Sequence, residues 1–571
     1  MAYITKKNIK GITYYYAEQR IWKDGKSQRQ WQKYLGTIEN IIKSIEGKNQ
    51  IPECAVVFEL GCVSAYLGIL KKINVVEIID SALPKRKQGA SIGEYILLAA
   101  INRGVNAVSK RSMWDWFQDS FLLNYMIHIK KDTLSSQRFW DNMNLIPENK
   151  ISTIWMNIIN NAMKSYNIDL SHISYDGTNF YTFISTFNNR CSIAKRGKNK
   201  QGRSNLRQVN YALFCSKEDH IPLFFDTYDG NTHDSKEFLK IVPKFREAFA
   251  DKINKNSRMT IIFDKGNNSP DNYKQIDSSP FNFVGSVKLD EHKELVTIPN
   301  KSSMLKSFDH PKLAEIKAYR LKKTIYEKER TVILTFNNKL YCDQLNTLNN
   351  DIQKCFENLS NLSQKLKDRV DGLIKKGKKP TTASVQKKVA EILKRQHMKK
   401  IISVEYQQIG DNPIISYTMD ADKLATLANT CLGKKIIITD NHDWTTEDII
   451  IAYHNQYVIE DAFKEMKDRE LGCWWPMYHY TDQKIKVHAF YCTLSLLARS
   501  LMSREARLKD IKISMKRMHG KLSGIKEVLN IYAKEKGKGI KKTKKNYVLT
   551  KMDETQRRLF DLFSIKDYTS S

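Results

Sequence analysis

The sequence predicts an α/β protein whose main domain is built on a mixed sheet. Three observations support this. Aromatic and β-branched runs cluster within residues 166–290, where three strand-like segments precede a helix, a strand, a helix and a strand. Helix-spaced apolar residues dominate residues 51–165, and a long polar helical stretch follows residue 342. At 571 residues the chain is too long for one core, so several domains are expected.

The N-terminal part divides into two predicted regions. Residues 1–50 are predicted to be rich in β-structure, because "GITYYYAEQRIW" and "SQRQWQKYLGTI" flank "KDGK", and Asp-Gly is a hairpin signal. Residues 51–165 form a mainly helical region, expected to bind DNA. Within it, "AVSKRSMWDWF" sets Lys110 and Arg111 beside two tryptophans. This segment is either a helix that docks on DNA or a packed helix with a solvated basic end.

The main domain begins at residues 166–290. Its second and third strands, "RQVNYALFCS" and "IPLFFDTYDG", are joined by "KEDH" and are expected to pair as a hairpin. The next helix is predicted to begin with a capping box formed by Asp234 and Glu237. An antiparallel trio that continues into alternating strands and helices is the order of a ribonuclease-H-like sheet, although many α/β domains share parts of it.

An insert and a basic end complete the predicted organisation. Residues 291–436 are predicted to form an inserted domain, in which strands such as "RTVILTF" and "KIISVEY" flank a helical hairpin. Residues 437–505 are the second part of the main domain. Residues 506–571 form a basic C-terminal region, and its "KEKGKGIKKTKK" is expected to become ordered only against a polyanion.

Charge and composition narrow the functional classes. Lys and Arg number 94 against 62 Asp and Glu, a formal charge of +32, which favours a nucleic-acid partner over a merely lysine-rich surface. The nine cysteines are scattered without a CxxC pair, which favours a reducing cytoplasm over structural zinc. No apolar run reaches the roughly 18 residues of a membrane span, and the start has no signal-peptide core. We therefore expect a cytoplasmic, nucleoid-associated protein with no membrane partner.

Two acidic residues end or nearly end apolar strands. Asp176 lies in "ISYDGT" and Asp264 in "IIFDKGN". A carboxylate there is costly to desolvate unless a cation meets it, and converging carboxylates suit Mg²⁺ or Mn²⁺. The alternative is that each aspartate only opens a turn, and for either residue alone that alternative is favoured.

The run "YHNQYVIEDAFKEMK" is predicted to be one amphipathic helix that begins after Thr445 as its N-cap. Tyr453, Glu460 and Lys467 are seven residues apart, and seven residues fall only ~20° short of two turns, so the three form one stripe. The stripe borders the apolar face formed by Ile459, Phe463 and Met466. The stripe either faces the end of a sheet or is exposed to solvent along the edge of the helix. For this helix taken alone, the solvent-exposed alternative is favoured.

With these residues the chain resembles the DDE transposases of bacterial insertion sequences, in the insertion-sequence-4 group. That group's third acid sits in a motif of Tyr, two residues, Arg, three residues, Glu, six residues, Lys. Tyr453, Glu460 and Lys467 fit this spacing, whereas Gln456 replaces the Arg. The family's first two acids match Asp176 and Asp264. "KDGKSQRQWQKYLGTIE" and the helical hairpin resemble a subgroup with longer chains, and the resemblance covers about residues 10–505.

The resemblance implies a ribonuclease-H-like fold and DNA strand transfer with two Mg²⁺ ions, for which Mn²⁺ would substitute. It implies that Asp176 bridges the metals and that Asp264 and Glu460 each complete one site. Lys467, and Tyr453 through its hydroxyl, would hold phosphate, while Gln456 would grip it more weakly than the family's Arg. The loop "KRGKNKQGRSNLR" would track the DNA backbone through four cations, Lys195, Arg196, Arg203 and Arg207.

The expected partner is double-stranded DNA, both the terminal inverted repeats and the target, bound by a homodimer. Trp444, Trp474 and Trp475 are candidates for stacking on an unpaired base, although such tryptophans more often belong to a core. Two other functions stay open: a metal-dependent nuclease of the same fold without strand transfer, and a DNA-binding protein derived from a transposase. Three intact acids speak against the second.

Overall fold

A computed structural model of the protein describes residues 2–23, 25–45, 52–84, 89–252, 259–472, 474–532 and 545–570. By their contacts these residues divide into two compact units. The first unit comprises residues up to 69, residues 110–136 and residues from 505 onward, and the second comprises residues 70–109 and 137–504. No helix among the described residues is long and apolar enough to cross a bilayer.

The strands of the described residues fall into four sheets. They are β1 (Ala2–Ile9), β2 (Ile12–Lys23), β3 (Lys26–Gly36), β4 (Cys54–Glu59), β5 (His172–Thr182), β6 (Lys195–Arg196), β7 (Arg207–Ser216), β8 (Pro222–Asp229), β9 (Thr260–Ile262), β10 (Asn282–Val287), β11 (Lys306–Ser307), β12 (Ile316–Ile325), β13 (Lys328–Asn337), β14 (Ile402–Ile409), β15 (Asn412–Met419), β16 (Lys434–Thr439), β17 (Lys526–Ile531) and β18 (Lys545–Leu549).

The helices are distributed between both units. They are α1 (Ile38–Ile45), α2 (Gly61–Lys72), α3 (Val75–Ala82), α4 (Ile92–Val105), α5 (Met113–Gln118), α6 (Leu122–Tyr125), α7 (Ser136–Asn144), α8 (Glu148–Tyr166), α9 (Asp234–Ala248), α10 (Pro270–Asp277), α11 (Lys293–Val296), α12 (Asn338–Val370), α13 (Thr382–Ile392), α14 (Met398–Ile401), α15 (Ala421–Thr430), α16 (Thr446–His454), α17 (Tyr457–Lys467), α18 (Asp482–Leu508), α19 (Met515–Ser523) and α20 (Glu554–Leu562).

The first unit contains two small antiparallel sheets. One is the N-terminal sheet β1-β2-β3, and the other is β18-β17-β4. The predicted pairing of the two N-terminal strands is confirmed, since Lys23 pairs with Lys26 at the end of the β2–β3 hairpin. The predicted C-terminal basic run covers residues 534–545, and residues 534–544 of it lie outside the described residues.

The second unit is built on a ten-stranded mixed sheet with the order β11-β12-β13-β16-β10-β9-β5-β7-β6, to which β8 adds by pairing with β7. Strands β5, β7 and β8 are antiparallel neighbours, whereas β9 is parallel to both β5 and β10. This confirms the predicted α/β class, the mixed sheet and the order of three strands, helix, strand, helix, strand.

Helices cover both faces of this sheet. Tyr175 and Phe214 point towards α9, where Phe238 lies 5.0 Å from the Tyr175 ring and Phe245 stacks on Phe214 at 4.3 Å between ring centroids. Side chains alternate along a strand. Tyr211, an odd number of residues from Phe214, accordingly contacts the opposite layer, through Phe463 of α17 and the Thr493 hydroxyl of α18.

One of the predicted helix starts differs from the structure. The N-cap of α9 is His233, whose ring accepts the Ser235 N–H, so Asp234 is already helical and forms no capping box with Glu237. A histidine ring can accept a hydrogen bond as an aspartate does, and a sequence pattern does not distinguish the two competitors. Among the other predicted starts, Thr445 is confirmed as the N-cap of α16 and accepts the Asp448 N–H.

The predicted insert also differs from the structure. The sequence predicts one inserted domain from residue 291, which would include β12 and β13, but β13 pairs with β16 inside the ten-stranded sheet. The chain leaves that sheet from α12 to α15, where α12 and α13 form the helical part, and β14 pairs with β15 apart from the large sheet. These elements share a core that includes Leu348, Leu359 and Val389. Strand composition reveals an apolar run but does not reveal its partner strand.

Candidate active site

Two carboxylates lie side by side where β5 and β9 separate. The parallel register pairs Ser174 with Ile262, the last residue of β9. Asp176 and Asp264 each follow their paired residue by two positions, and since side chains alternate along extended chain, both point to one face. Neighbouring strands are about 4.8 Å apart. Only the register of two strands, distant in sequence, brings these aspartates together.

Burial and charge act strongly on Asp176. The pKa of its carboxyl is raised to about 6, chiefly by desolvation, and the charges of Asp234 and Asp264 contribute to the rise. The opposing contributions are smaller: the charge of Lys200 lowers it, as does the Gly177 N–H, which donates to Oδ1 at 2.7 Å. The carboxylate therefore has less cationic compensation in the protein than its ionised form requires.

Asp264 is held by two hydroxyl groups. Its Oδ1 accepts a hydrogen bond from Ser286 at 3.2 Å and lies 3.2 Å from the Tyr453 hydroxyl, which is itself 2.8 Å from Ser286 Oγ. Tyr453 is only 6% exposed. Burial raises the pKa of this phenol, and the charges of Asp264 and Glu460 raise it further, so the group stays protonated. The Tyr453 hydroxyl is therefore in hydrogen-bond contact with Asp264 and Ser286, and its phosphate contact stays a prediction.

The predicted single helix is two helices. It breaks between α16, which carries Tyr453, and α17, which carries Glu460 and Lys467. At the break the amide of Gln456 donates to the Tyr453 carbonyl, a three-residue step in place of the helical four. No Pro or Gly marks it, so the sequence predicted one straight stripe. Within α17 the apolar face of Ile459, Phe463 and Met466 is buried as predicted.

Glu460 and Gln456 line a cleft together with Asp264 and Tyr453. The cleft has a volume of about 360 Å³. Strands of the large sheet and helices α12, α16 and α17 contribute most of its remaining walls. The other lining residues are Ile316, Thr335, Asn337, Leu340, Gly433, Lys435, His454 and Tyr457. Glu460 is exposed, so its carboxylate is accessible to a ligand. The third predicted acid therefore shares a cleft with the second.

Lys467 crosses from α17 to the polar row of β5. Its ammonium donates to the Thr178 hydroxyl and lies 5.5 Å from the centroid of the Phe180 ring. Desolvation, followed by the charge of Lys200, lowers the pKa of Lys467 to about 8, while Asp176 raises it. Lys467 thus lies in the electrostatic field of Asp176, on the same face of the strand.

The four loop cations predicted to touch DNA have different surroundings. Lys195 pairs with Asp229 at 2.5 Å, Arg196 is exposed, and the exposed Arg203 lies 5.7 Å from the Tyr181 ring. Arg207 instead donates to the backbone carbonyls of Ala194, Ser185, Asn188 and Cys191. Its guanidinium is occupied in folding the preceding loop, which argues against the predicted phosphate contact.

Sequence reasoning missed two cations near the acids. Lys200 donates to the Gly177 carbonyl at 2.6 Å and acts on the pKa of Asp176. Lys435 is exposed in the cleft, 5.7 Å from the Tyr453 ring centroid. Lys200 lay inside a basic run whose members look alike. Lys435 follows a buried lysine in "GKKIIIT", and only strand alternation distinguishes the two.

The remaining aromatic and basic candidates are mostly packed. Trp474 is fully buried and stacks on Phe180 at 3.9 Å, which rules out the predicted base stacking at that position. Trp475 stacks on Tyr181 at 4.7 Å, and Trp444 packs against His172. Lys110 is 7% exposed, so its burial weighs against a phosphate contact. Exposed Arg111 stays a predicted contact.

The carboxylates fit a hard divalent cation by their chemistry. All three supply oxygen ligands, and a nearby cation would favour the ionised form of Asp176, which burial disfavours. In the described part of the chain, however, no three His, Cys, Asp or Glu side chains form a group able to enclose one ion.

Comparison with known proteins adds one family match. A family model described as "Transposase DDE domain" matches residues 168–498, more than half of the chain. Among curated proteins, none matches. A solved structure described as a cryo-EM structure of piggyBac transposase synaptic complex with hairpin DNA is similar over 81% of this chain and 78% of that chain. Its sequence identity is 10% and its TM-score 0.35, too low to carry an argument.

Proposed function

The chain belongs to the transposase DDE-domain family, and from that premise we propose that Asp176, Asp264 and Glu460 are its catalytic acids for DNA strand cleavage and strand transfer. The observation that carries the proposal is the register of β5 and β9, which sets two aspartates at one level of one sheet face. The cleft shared by Asp264 and Glu460 supports the third role.

The same acids are the proposed ligands of two Mg²⁺ ions, with Mn²⁺ as a substitute. When bound, such ions supply an activated water or 3′-hydroxyl and neutralise charge on the phosphate oxygens. Asp176 is proposed as the shared ligand, because burial and the neighbouring charge of Asp264 both raise the pKa of its carboxyl, and a bound cation would favour its ionised form.

Other side chains act on the phosphate or on the acids. Lys467 is proposed to hold a phosphate oxygen near the cleaved bond, because its ammonium is held at Thr178 and is near Asp176. Tyr453 keeps Asp264 oriented through its hydroxyl. Lys435 and Gln456 line the cleft and would contact the backbone farther along. The reaction needs no protein nucleophile, since water and the released 3′-hydroxyl serve in turn.

Finer assignments belong to the proposal as well. The antiparallel trio joined to parallel strands is the order expected of a ribonuclease-H-like sheet. The spacing of Tyr453, Glu460 and Lys467 supports the insertion-sequence-4 group, with Gln456 as its departure. The proposed substrates are the inverted repeats of an insertion sequence and a target duplex, bound by a homodimer. A nucleoid location would follow from DNA binding.

The test is cleavage and joining of a labelled duplex that carries the DNA flanking the reading frame. Asp176→Asn, Asp264→Asn and Glu460→Gln should each lower strand cleavage with Mg²⁺ by at least about 1,000-fold. Asp461→Asn, next to Glu460, removes an equal charge from a residue paired with Lys464 and is the matched control. Full activity in any acid variant would overturn the assignment. Cleavage without joined products would identify a nuclease instead.

A further inference from the structure

The N-terminal sheet presents a face rich in aromatic and basic side chains, called here the tyrosine face. Its members are Tyr3 and Lys7 of β1, Tyr14, Tyr16, Glu18, Arg20 and Trp22 of β2, and Arg29, Gln32 and Tyr34 of β3. The alternate numbering along β2 places its members on one side. The contacts between strands confirm the same side for the others.

Three tyrosine rings contact one another across β2 and β3, and a lysine of β1 adjoins them. Tyr34 lies 5.9 Å from Tyr14 and 5.2 Å from Tyr16 between ring centroids. The ammonium of Lys7 lies 5.2 Å from the centroid of the Tyr16 ring. Cross-strand aromatic pairs of this kind stiffen a small sheet.

The single acid of the face is covered by its neighbours. Glu18 is 3% exposed and accepts hydrogen bonds from Tyr3 Oη at 3.3 Å, Arg20 Nε at 3.2 Å and Gln32 Nε2 at 2.9 Å. It also pairs with Arg29 at 3.2 Å. Both arginine side chains nevertheless stay about two-fifths exposed, at 39% and 43%. A ligand approaching this face would therefore meet cations while the carboxylate is covered.

The aromatic side chains are exposed to a degree that demands an explanation. Trp22 is 77% exposed, Tyr34 55% and Tyr3 46%. Exposed aromatic surface beside cations marks an interaction site more often than a free surface. The partner that satisfies both features is a polyanion with planar or sugar surfaces, and in a chain of charge +32 that partner is nucleic acid.

We propose that the tyrosine face binds duplex DNA. Strand β2, with 12 residues, spans about 40 Å, close to the roughly 34–36 Å of one DNA turn. Sheets are known to dock in DNA grooves, with arginines and lysines on phosphates and other side chains against the groove. The proposal rests on the proposed function for its substrate but concerns a surface outside the acidic site.

The first test measures binding of the full chain to a labelled 30-bp mixed-sequence duplex at several salt concentrations. Lys7→Gln with Arg20→Gln removes two positive charges and leaves Arg29, Gln32 and Tyr3 around Glu18. If both cations contact phosphate, the slope of log K against log salt should fall by about 1.8. Lys354→Gln with Lys365→Gln on α12 removes the same charge from exposed positions and is the control. An equal slope in the two double variants would overturn the proposal.

The second test uses uncharged substitutions on the two faces of the sheet. Trp22→Ala should weaken binding several-fold without changing the salt slope. Trp31→Ala, on the opposite face beside Gln19, should leave affinity unchanged. Equal losses from both, or none from Trp22→Ala, would overturn the proposal. Thermal unfolding of each variant is measured alongside, so that only variants with an unchanged midpoint are compared.

Two further outcomes have defined meanings. If the tyrosine-face variants change the sedimentation of the DNA-free protein but not its DNA affinity, the face joins copies of the chain and the proposal is wrong. Failure of the proposed function is read separately, because it requires cleavage to survive Asp176→Asn. Loss of DNA affinity in the face variants, with strand cleavage at saturating DNA retained, supports both.

Discussion

Two sheets of this protein carry charge in opposite ways. In the ten-stranded sheet, Asp176 and Asp264 are half-buried between layers of helices, and burial disfavours the ionised form of Asp176. In the N-terminal sheet, the cations Lys7 and Arg20 are exposed, and the acid Glu18 is the buried member. In the large sheet, burial makes the ionised carboxylate of Asp176 unfavourable. In the N-terminal sheet, the cations are exposed to solvent, so their charged form carries no such cost.

The difference indicates that buried carboxylates are suited to catalysis and exposed cations to DNA binding. A desolvated carboxylate strongly favours a bound cation. When helices pack against its sheet, the orientation of the carboxylate is also fixed, and phosphoryl transfer requires both properties. Exposed arginines interact weakly and in many geometries, which suits sequence-tolerant contact with a phosphate backbone. Substitutions in the first sheet should change rates, and substitutions in the second should change affinity.

The largest expected effect is a loss of stability when Arg207, a cation of the large sheet, is replaced. Arg207→Lys removes the fork that serves four backbone carbonyls, so the free energy of unfolding should fall by about 2–4 kcal/mol. Arg203→Lys, on the same loop but exposed, should change it by less than about 0.5 kcal/mol. Denaturant titration of the two variants measures both. Equal stabilities would mean that Arg207 is free to bind DNA, as the sequence predicted.

Tyr453→Phe sharpens the description of the acidic site. It removes the hydroxyl beside Asp264, and loss of a hydrogen bond to a charged group costs about 1.5–3 kcal/mol, so cleavage at saturating DNA should slow about 10- to 100-fold. The apparent KM for DNA should hardly change. Tyr457→Phe, at an exposed tyrosine of the same cleft, should leave both constants intact. A raised KM with an unchanged rate would identify Tyr453 as a phosphate contact.

Glu237 tests whether a carboxyl with a raised pKa beside the large sheet is necessarily catalytic. Burial, followed by the charge of Asp226, raises its pKa from 4.5 to about 7. The folded state then binds the proton more tightly than the unfolded state, so stability is lost as pH rises from 4.5 to about 7. Glu237→Gln should add about 1–3 kcal/mol at pH 8, little at pH 4, and spare cleavage. Exposed Glu247→Gln on the same helix is the control, and equal gains in both variants would refute the assignment.

The smallest effect concerns Gln456. Arginine would bring a charged bidentate donor to a residue that lines the cleft without serving the acids. Gln456→Arg should alter the later step on the opposite DNA strand while nicking changes less than about threefold. Nicking and double-strand release are measured on one labelled transposon end with Mg²⁺. If Gln456→Ala abolished nicking as Glu460→Gln is expected to do, Gln456 would belong to the catalytic set.

Several features followed from the sequence alone. Apolar runs with β-branched residues predicted the strands of the large sheet, because burial selects such residues wherever a strand is covered on both faces. The apolar face of α17 followed from helical spacing, and the capping of α16 followed from Thr445. Asp176, Asp264 and Glu460 were singled out as acids in apolar or amphipathic surroundings, since an ionisable group there is costly and needs a reason.

Tertiary structure decided how these elements meet. Parallel pairing of β5 with β9 placed Asp264 level with Asp176, although 88 residues separate them in the chain. A helix break without Pro or Gly separates Tyr453 from the helix that carries Glu460 and Lys467. The buried Tyr453 hydroxyl instead hydrogen-bonds Asp264. Similar basic residues took different parts, Arg207 inside a loop and Lys200 beside the acids. Sequence patterns report the environment a residue prefers, whereas register, helix breaks and side-chain partners depend on contacts between distant segments.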